Sequence, residues 1–199
     1  MSNILLIESS ARQQGSVSRQ LSEQFIAQWQ AAHPADQVTV RDLALQSVPH
    51  LDSNLLGGWM TPAEQQTADE QAALARSNTL TDELLAADVL VLAAPMYNFS
   101  IPSTLKAWLD HVLRAGVTFK YTDTGPQGLL SGKRAVVLTS RGGIYAGSGL
   151  DHQEPYLRQA LAFIGIHEVD FIHAEGQSMG AEVAEQGLLQ AQARVAQAL

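Results

Sequence analysis

The sequence predicts an α/β protein built on a five-stranded parallel sheet with helices on both faces. Five short apolar runs can be identified, and the first, Asn3–Ile7, is continuous rather than alternating, which is typical of a strand that is buried on both sides. Helical segments separate these runs, and strands that alternate with helices form parallel sheets. The chain has 199 residues, the size of one domain, so residues 1–199 are expected to fold as a single unit.

The five predicted strands are short and end at polar or turn-forming residues. They are Asn3–Ile7, Val38–Leu43, Val89–Ala93, Ala135–Thr139 and Val169–Ala174. The third is the clearest, since its five apolar residues follow Asp88 and stop just before Pro95. Because right-handed crossovers leave few arrangements of such strands, we expect the flavodoxin-like order 2-1-3-4-5. A small additional strand is expected at Val117–Tyr121.

The helices between the strands are predicted from apolar spacing and from end signals. Apolar residues recur every four positions from Val17 to Trp29, which indicates an amphipathic helix. Ser103 is expected to cap a later helix, and Gly116 is expected to end it. The segment from Gln46 to about Thr61 contains Pro, Gly and Asn and is expected to be a surface loop. The other predicted helices are Pro62–Ala87, Pro155–Ile164 and Ala181–Leu199.

Composition argues against several classes of function. The 12 Lys and Arg residues face 20 Asp and Glu, and the resulting charge of -8 argues against nucleic-acid binding and against a polybasic membrane anchor. Cysteine is absent, so disulfides, thiolate metal sites and cysteine nucleophiles are excluded. The six histidines lack metal-binding spacing, so no metal site is expected. Without a signal peptide or an apolar run near ~20 residues, we expect a cytoplasmic protein that does not enter a membrane.

The loop after the first strand has the composition of a phosphate site. Ligands of such sheets bind beyond the carboxyl ends of the strands, near the switch in strand order. The segment Ser9–Ser18 holds four serines and opens into a helix, whose N-terminus attracts phosphate. Hydroxyls suit a terminal phosphate, whereas a dinucleotide pyrophosphate usually needs G-x-G-x-x-G, which is absent. The alternative is a solvated loop with an ordinary serine cap.

The loops after the third and fourth strands reach the same edge of the sheet. Ala94–Pro102 carries large apolar side chains that could cover a planar heteroaromatic ring, with Asn98 as a polar contact. Alternatively, these side chains pack beneath the loop as a small core. Ser140–Tyr145 contains Gly142 and Gly143, whose amides can approach a ligand because no Cβ intervenes and positive φ costs little. The alternative for these glycines is a plain turn.

These segments together resemble the FMN-dependent NADH azoreductases, a family of flavodoxin-like NAD(P)H:quinone oxidoreductases. The resemblance extends over essentially the whole chain, and its segments occur in the family's order. They are Ser9-Ser10, Ser16-Val17-Ser18, Ala94-Pro95-Met96-Tyr97-Asn98-Phe99, Arg114-Ala115-Gly116-Val117-Thr118-Phe119 and Thr139-Ser140-Arg141-Gly142-Gly143.

The resemblance implies one FMN in each subunit of a homodimer. The implied cofactor residues are Ser10, Ser16, Val17 and Ser18 at the phosphate, Met96, Tyr97, Asn98 and Phe99 along the isoalloxazine, and Ser140, Arg141, Gly142 and Gly143 near its pyrimidine end. The substrate cavity would be lined by Phe119, Tyr121 and Phe163, partly from the partner subunit. We add Tyr145, which stands where several relatives have histidine.

The resemblance also implies the reaction. NADH or NADPH would reduce the bound flavin and leave, and a quinone or azo compound would then take its place and accept two electrons. One pocket that serves both substrates in turn gives ping-pong kinetics. Since solvent or the flavin can supply protons, no catalytic side chain is assigned.

Three other interpretations remain open at this point. A flavodoxin-like electron carrier would share the fold and cofactor but would lack a nicotinamide site. A serine hydrolase would use Ser178 in Gly176–Gly180, a G-x-S-x-G match, but the last histidine is His173 and no histidine follows to complete a triad. The segment Gly128–Arg134 approaches a P-loop, yet it has one residue too few between its glycines and precedes a strand.

Overall fold

A twisted sheet of five parallel strands organises the computed structural model, which describes residues 1–199. The strands are β1 (Asn3–Glu8), β2 (Gln37–Asp42), β3 (Val89–Pro95), β6 (Arg134–Ser140) and β7 (Glu168–Ala174), while β4 (Phe119–Thr122) and β5 (Gly125–Gly128) form a separate antiparallel hairpin. The order in the sheet is β2-β1-β3-β6-β7. This confirms the flavodoxin-like order predicted from the sequence.

Six α-helices accompany the sheet. They are α1 (Val17–Ala32), α2 (Ser53–Met60), α3 (Ala68–Ala86), α4 (Ser103–Val112), α5 (Glu154–Phe163) and α6 (Ala181–Val195). Helices α1 and α6 cover one face of the sheet, where Phe25 and Val195 are fully buried. Helices α3, α4 and α5 cover the other face around the buried Trp108. None of the six is both long and apolar enough to cross a bilayer.

The prediction of a surface loop from Gln46 to about Thr61 is wrong for Ser53–Met60, which form α2. Asp52 caps this helix by accepting a hydrogen bond from the Leu55 amide at 2.9 Å. The glycines that suggested a loop instead allow α2 to approach α3 closely. A Cβ on Gly58 would lie 2.9 Å from the carbonyl oxygen of Glu70.

Several helix ends differ from the sequence prediction, among them that of α6, which ends at Val195 rather than at Leu199. The helix predicted from Pro62 begins at Ala68 as α3, since Thr67 and Glu70 form a reciprocal capping box. Ser103 is the first residue of α4 rather than its cap, and its side chain makes no capping hydrogen bond. That helix ends at Val112, and Gly116, with φ of +79°, forms the turn that leads into the hairpin.

Two strand predictions also need correction. The second strand was expected in a sheet that is covered on both faces, but the residues of β2, at the edge position that the predicted order gives it, are exposed or half-buried. The small strand expected at Val117–Tyr121 is β4, whose first residue is Phe119 and whose partner is β5. In the main sheet, Glu8 lies opposite Ala93, and Pro95 opposite Ser140. The loops after β1, β3 and β6 therefore begin at one edge.

Candidate functional site

A cavity of about 320 Å³ opens at that edge, between the loops that follow the parallel strands. Eight of the residues implied by the resemblance line it: Ser10, Ser16, Val17, Met96, Tyr97, Ser140, Arg141 and Gly142. Five lining residues were missed: Arg12, Gly15, Pro95, Gln177 and Ser178. Arg12, Gly15 and Pro95 lie within segments already singled out. Gln177 and Ser178 belong to the loop after β7, which was considered only as a nucleophile motif.

Three hydroxyl groups meet at the N-terminus of α1. Ser16 is the N-cap, and its Oγ accepts a long hydrogen bond of 3.5 Å from the Arg19 amide. The Ser16 hydroxyl donates to Ser10 Oγ at 2.9 Å and lies 3.2 Å from Ser18 Oγ. The Arg12 amide donates to Ser10 Oγ at 3.2 Å. Hydroxyls and helix amides in this arrangement can bind the oxygens of one phosphate group.

The loop after β3 contains a tight turn at Asn98 and Phe99. Their φ angles are 49° and 69°, and the Tyr97 and Ser100 backbones exchange two hydrogen bonds of 3.0 and 3.1 Å. This is the geometry of a two-residue type I′ turn, which normally favours glycine at its second position. The Phe99 ring is half exposed and packs edge-on against Tyr145 at 5.9 Å between centroids. The turn therefore holds an aromatic ring outward beside the cavity.

The phenol of Tyr97 joins this turn to the serine loop. Its oxygen accepts a hydrogen bond from the Ala11 amide at 3.3 Å and lies 3.4 Å from Ser10 Oγ. At the other side, the Met96 amide donates to the Ser140 carbonyl at 2.8 Å. The three loops thus form one connected wall.

The glycine loop after β6 is held by the loop after β7. The amides of Gln177 and Ser178 donate to the carbonyls of Arg141 and Gly142 at 3.0 and 2.9 Å. A trans peptide directs its N–H away from its carbonyl oxygen, so the Gly142 and Gly143 amides face away from the β7 loop. Neither amide donates to a protein acceptor.

Two reasons were expected for glycine at positions 142 and 143: a positive φ angle and the lack of a Cβ. The structure supports only the second. Neither Gly142 nor Gly143 has positive φ. The lack of a Cβ does matter, because a Cβ on Gly142 would lie 3.1 Å from Ser178 Oγ, and one on Gly143 would lie 2.9 Å from the Tyr145 ring. The glycines therefore provide space between neighbouring loops rather than a turn that only glycine can form.

The Arg141 side chain turns into the protein rather than toward the cavity. Its Nη1 contacts Asp151 at 2.7 Å and Glu175 at 3.4 Å, and the side chain is fully buried. Burial alone would raise the pKa of Asp151, but the Glu154 amide and the Arg141 charge outweigh it, and the pKa lies below its usual range. Only the backbone of Arg141 therefore offers contacts to a ligand.

The hydrolase interpretation of Ser178 has no support in this geometry. The imidazole of His173 lies between Thr139 Oγ1 and Glu154, at 2.8 Å from each, and makes no contact with Ser178. Gly176 and Gly180 have φ of +72° and +101°, and Gly180 is the N-cap of α6. Gly176 lies just after the end of β7, and Gly180 lies at the start of the last helix.

The residues expected to line a substrate cavity do not all meet in one chain. The Phe119 ring packs on Tyr121, also in the hairpin, and on Phe163 of α5, at 5.5 and 4.5 Å between centroids, and this cluster lies outside the cavity. Tyr145 alone of the four lies near the cavity, against Phe99. A larger space of about 650 Å³ adjoins the other side of Tyr97.

The geometry fits flavin mononucleotide. The hydroxyl cluster at α1 suits a single terminal phosphate, and the two unpartnered glycine amides can bind the polar edge of a planar ring. Ser10, Ser16 and Gly142 line one cavity at the switch in strand order, with Gly143 next in the chain, and flavodoxin-like folds bind FMN at this switch. Fold and site together define a flavodoxin-like FMN-binding protein.

Comparison with known proteins agrees. A family model described as the flavodoxin-like fold matches residues 2–199. The FMN-dependent NADH:quinone oxidoreductase 2 of Pseudomonas putida is 76% identical over 196 residues, which cover 98% of each chain. The FMN-dependent NADH:quinone oxidoreductase of Azotobacter vinelandii is 74% identical over 99% of each chain.

Solved structures extend the comparison. An azoreductase from Bacillus anthracis superposes with a TM-score of 0.93 at 28% identity, over 100% of this chain and 98% of the other. An FMN-dependent NADH-azoreductase of that species, solved with FMN, gives 0.89 at 27% identity, over 100% and 99%. The chain therefore belongs to the FMN-dependent NADH:quinone oxidoreductases and azoreductases. This confirms the resemblance, the enzyme class and FMN as cofactor.

Proposed function

We propose that this chain binds one FMN per subunit and passes two electrons from NADH to quinones and azo compounds. The observation that carries the proposal is one cavity that is lined by Ser10 and Ser16 at a helix N-terminus and by Gly142, whose amide, like that of the adjacent Gly143, has no protein acceptor. The names of the relatives from Pseudomonas putida and Azotobacter vinelandii support the donor and the quinone acceptor. The azoreductase structures support the azo acceptor.

The serine loop holds the cofactor phosphate. Ser10, Ser16 and Ser18 supply hydroxyl groups, and the Val17 amide lies in the first turn of α1, where amides lack helical partners. The helix dipole adds a partial positive charge at the same place. Since no G-x-G-x-x-G segment is present to bind a pyrophosphate, the site prefers FMN to FAD.

The loops after β3 and β6 hold the ring. Residues 96–99 cover it, and residues 140–143 pass along its pyrimidine edge, where the Gly142 and Gly143 amides donate. When bound, FMN supplies the redox chemistry by accepting a hydride from the nicotinamide and passing two electrons to the acceptor. The protein positions the ring, and no side chain of the cavity acts as a required acid or base.

Donor and acceptor occupy the same place in turn. Phe99, which is half exposed, and the partly buried Tyr145 form an aromatic surface beside the ring position, and a flat nicotinamide, quinone or azo compound can stack against it. In a homodimer, Phe119, Tyr121 and Phe163 of a second copy complete this surface. The enzyme acts in the cytoplasm, where NADH is available.

The first experiment identifies the cofactor. The purified protein is denatured, and the released flavin is separated by chromatography, with FMN expected and FAD absent. FAD, or no flavin after reconstitution, contradicts the proposal.

The second experiment tests the reaction. Anaerobic addition of NADH to the FMN-loaded protein should bleach the flavin absorbance rapidly, and a quinone should restore it. Steady-state rates should give parallel double-reciprocal lines, as expected for a ping-pong reaction. A protein that holds FMN but is not bleached by NADH would be an electron carrier instead.

A further inference from the structure

A buried carboxyl group lies directly beneath the serine loop. Glu8 is the last residue of β1, two positions before Ser10, and only 5% of its surface is exposed. The hydroxyl of Ser22, in the second turn of α1, donates a short hydrogen bond to Glu8 Oε1. Glu8 Oε2 is buried and accepts no hydrogen bond. A carboxylate with one unsatisfied oxygen is costly in such a place.

Arg19 connects this carboxyl group to the serine loop. Its guanidinium donates to the Arg12 carbonyl at 2.9 Å and to the Ser10 carbonyl at 3.1 Å. The same guanidinium binds both carboxylate oxygens of Asp42, at 2.7 and 2.9 Å, and lies 3.7 Å from Glu8 Oε2. The backbone that positions Ser10 thus depends on the charges of this cluster.

The charges of the cluster do not balance when both carboxyl groups are ionised. One guanidinium, from Arg19, then faces two carboxylates, and Glu23 on α1 adds another negative charge. On β3, Glu8 lies opposite Ala93, which contributes no charge, and on β2 it lies opposite Asp42. A dianionic phosphate at the N-terminus of α1 would add to this negative excess.

Glu8 is the member of the cluster that can relieve the excess near neutral pH. Burial raises the pKa of Glu8 to about 7, although the Ser22 hydrogen bond and the Arg19 charge lower it in part. Burial also acts on Asp42, but the Arg19 hydrogen bonds outweigh it and hold the pKa of Asp42 below its usual range. Asp42 therefore stays ionised while Glu8 titrates.

We propose that Glu8, in its buried cluster with Arg19 and Asp42 beneath the serine loop, takes up a proton from solvent when the phosphate of FMN binds. The negative phosphate disfavours a second nearby anion, so the protonated carboxyl group is the form that binds FMN tightly. Arg19, released from part of its attraction to Glu8, remains on Asp42 and on the Ser10 and Arg12 carbonyls. The inference rests on the proposed function in that FMN must bind here.

The linkage between proton binding and FMN binding determines whether the affinity for FMN rises or falls with pH. A ligand that binds the protonated form better loses affinity as pH rises through the pKa of that group. For a pKa that rises by about one unit from about 7, the FMN affinity should fall about fivefold from pH 7 to pH 9. The phosphate monoester itself, with a second pKa of ~6, is almost wholly dianionic over this range.

The experiment is calorimetric titration of the full-length apoprotein with FMN at pH 7.5, in two buffers of different ionisation enthalpy. The difference between the observed enthalpies gives the protons taken up, and about half a proton per site is expected. Riboflavin, which lacks the phosphate, should cause no uptake. FMN binding without proton uptake overturns the inference, whereas an absence of FMN binding overturns the proposed function and this inference with it.

Glu8→Gln identifies the group. The amide keeps the size of the side chain and its contact with Ser22 but cannot titrate. FMN binding to this variant should be free of proton uptake and should not weaken between pH 7 and pH 9. A variant that keeps the wild-type pH dependence shows that another group takes up the proton, and the inference is then wrong.

A second measurement needs only the wild-type protein, in case Glu8→Gln does not fold. Infrared difference spectra of FMN minus riboflavin complexes at pH 7.5 should show a new protonated carboxyl band and a matching loss of carboxylate. Unchanged carboxyl bands overturn the inference.

Discussion

At the residue scale, peptide orientation determines what the glycine loop can offer a ligand. The carbonyls of Arg141 and Gly142 both accept hydrogen bonds from amides of the loop after β7, which turns the Gly142 and Gly143 N–H groups away from that loop and leaves them without protein acceptors. The two donors are fixed before any ligand arrives. Donors held in this way stabilise a developing negative charge more effectively than mobile groups, because they need no reorganisation.

Replacement of Gly143 tests this role. Two-electron reduction adds negative charge at the pyrimidine end of a flavin. Gly143→Pro removes the N–H, so the reduction potential of bound FMN should fall, and reduction by NADH should slow more than FMN affinity decreases. Gly143→Ala is the matched control, since it adds a Cβ near Tyr145 but keeps the amide, and its potential should stay near the wild-type value. Equal potentials in the wild type and the folded, FMN-loaded proline variant would leave the Gly143 amide with no electronic role.

The serine cluster gives a second prediction at this scale. Ser16→Ala combined with Ser18→Ala should weaken FMN binding by roughly one to two decades for each lost hydrogen bond to the phosphate, at about 1.5–3 kcal/mol apiece. Riboflavin affinity should hardly change. Since Ser16 also caps α1, Thr67→Ala serves as the control, because it removes a similar cap from α3 away from the cavity. Fluorescence titration with both flavins measures these affinities, and equal losses for FMN and riboflavin would count against a phosphate contact.

At the element scale, the regular strand β3 is followed by a turn whose backbone conformation is unfavourable for its residues. Strand β3 is buried throughout, and its five-residue apolar run made it predictable. The positive φ angles at Asn98 and Phe99 were not predictable, because asparagine tolerates this region but phenylalanine rarely adopts it. Strain of this kind occurs where neighbouring structure holds a residue in place for function. Here it holds an aromatic ring beside the ligand cavity.

Two substitutions of Phe99 distinguish the cost of the backbone strain from the loss of the aromatic ring. Phe99→Gly should make the apoprotein more stable than Phe99→Ala by about 1 kcal/mol, since both lose the ring but only glycine adopts φ of 69° at little cost. Both variants should lose quinone turnover relative to wild type. Urea unfolding of the three apoproteins measures the difference. If the alanine variant is as stable as the glycine variant, the turn stores no strain.

The sequence predicted the elements that depend on local patterns and missed those that depend on contacts between elements. The parallel strands and most helices follow from apolar periodicity. Helix α2 was missed because Gly57 and Gly58 suggest a loop, whereas their function is close packing on α3. The hairpin partner β5 was missed because its sequence, Gly-Pro-Gln-Gly, has no apolar pattern.

The prediction of the site was limited in the same way, because contacts between loops could not be predicted. Its serine, methionine–tyrosine and glycine loops were predictable because each follows a recognisable strand. Gln177 and Ser178 were not assigned to it, because only the three-dimensional structure brings the loop after β7 against the glycine loop. The resemblance placed Arg141 near the ligand, and the residue does line the cavity, but its ion pair with Asp151 holds the guanidinium inside the protein.

At the scale of the whole molecule, large apolar side chains remain exposed around the cavity and on the hairpin. Phe99 is 50% exposed, Ile144 62% and Tyr121 74%. Soluble monomers rarely expose extended apolar patches. A two-fold interface would bring the same patch of both subunits together and bury both copies. Since Phe119, Tyr121 and Phe163 form their own cluster outside the cavity, a second copy is the simplest source of an aromatic wall over it.

We therefore expect the activity to depend on the formation of a dimer. Sedimentation of the FMN-loaded protein at micromolar concentration should give the mass of a dimer. Tyr121→Glu places a charge on the exposed end of the aromatic cluster and should shift the protein to monomers with reduced quinone turnover. Leu189→Glu is the matched control, since Leu189 is 57% exposed on α6, which covers the face of the sheet opposite α5 and the hairpin. It should remain dimeric and active, and full activity in a monomeric Tyr121→Glu protein would show that one chain builds the whole substrate site.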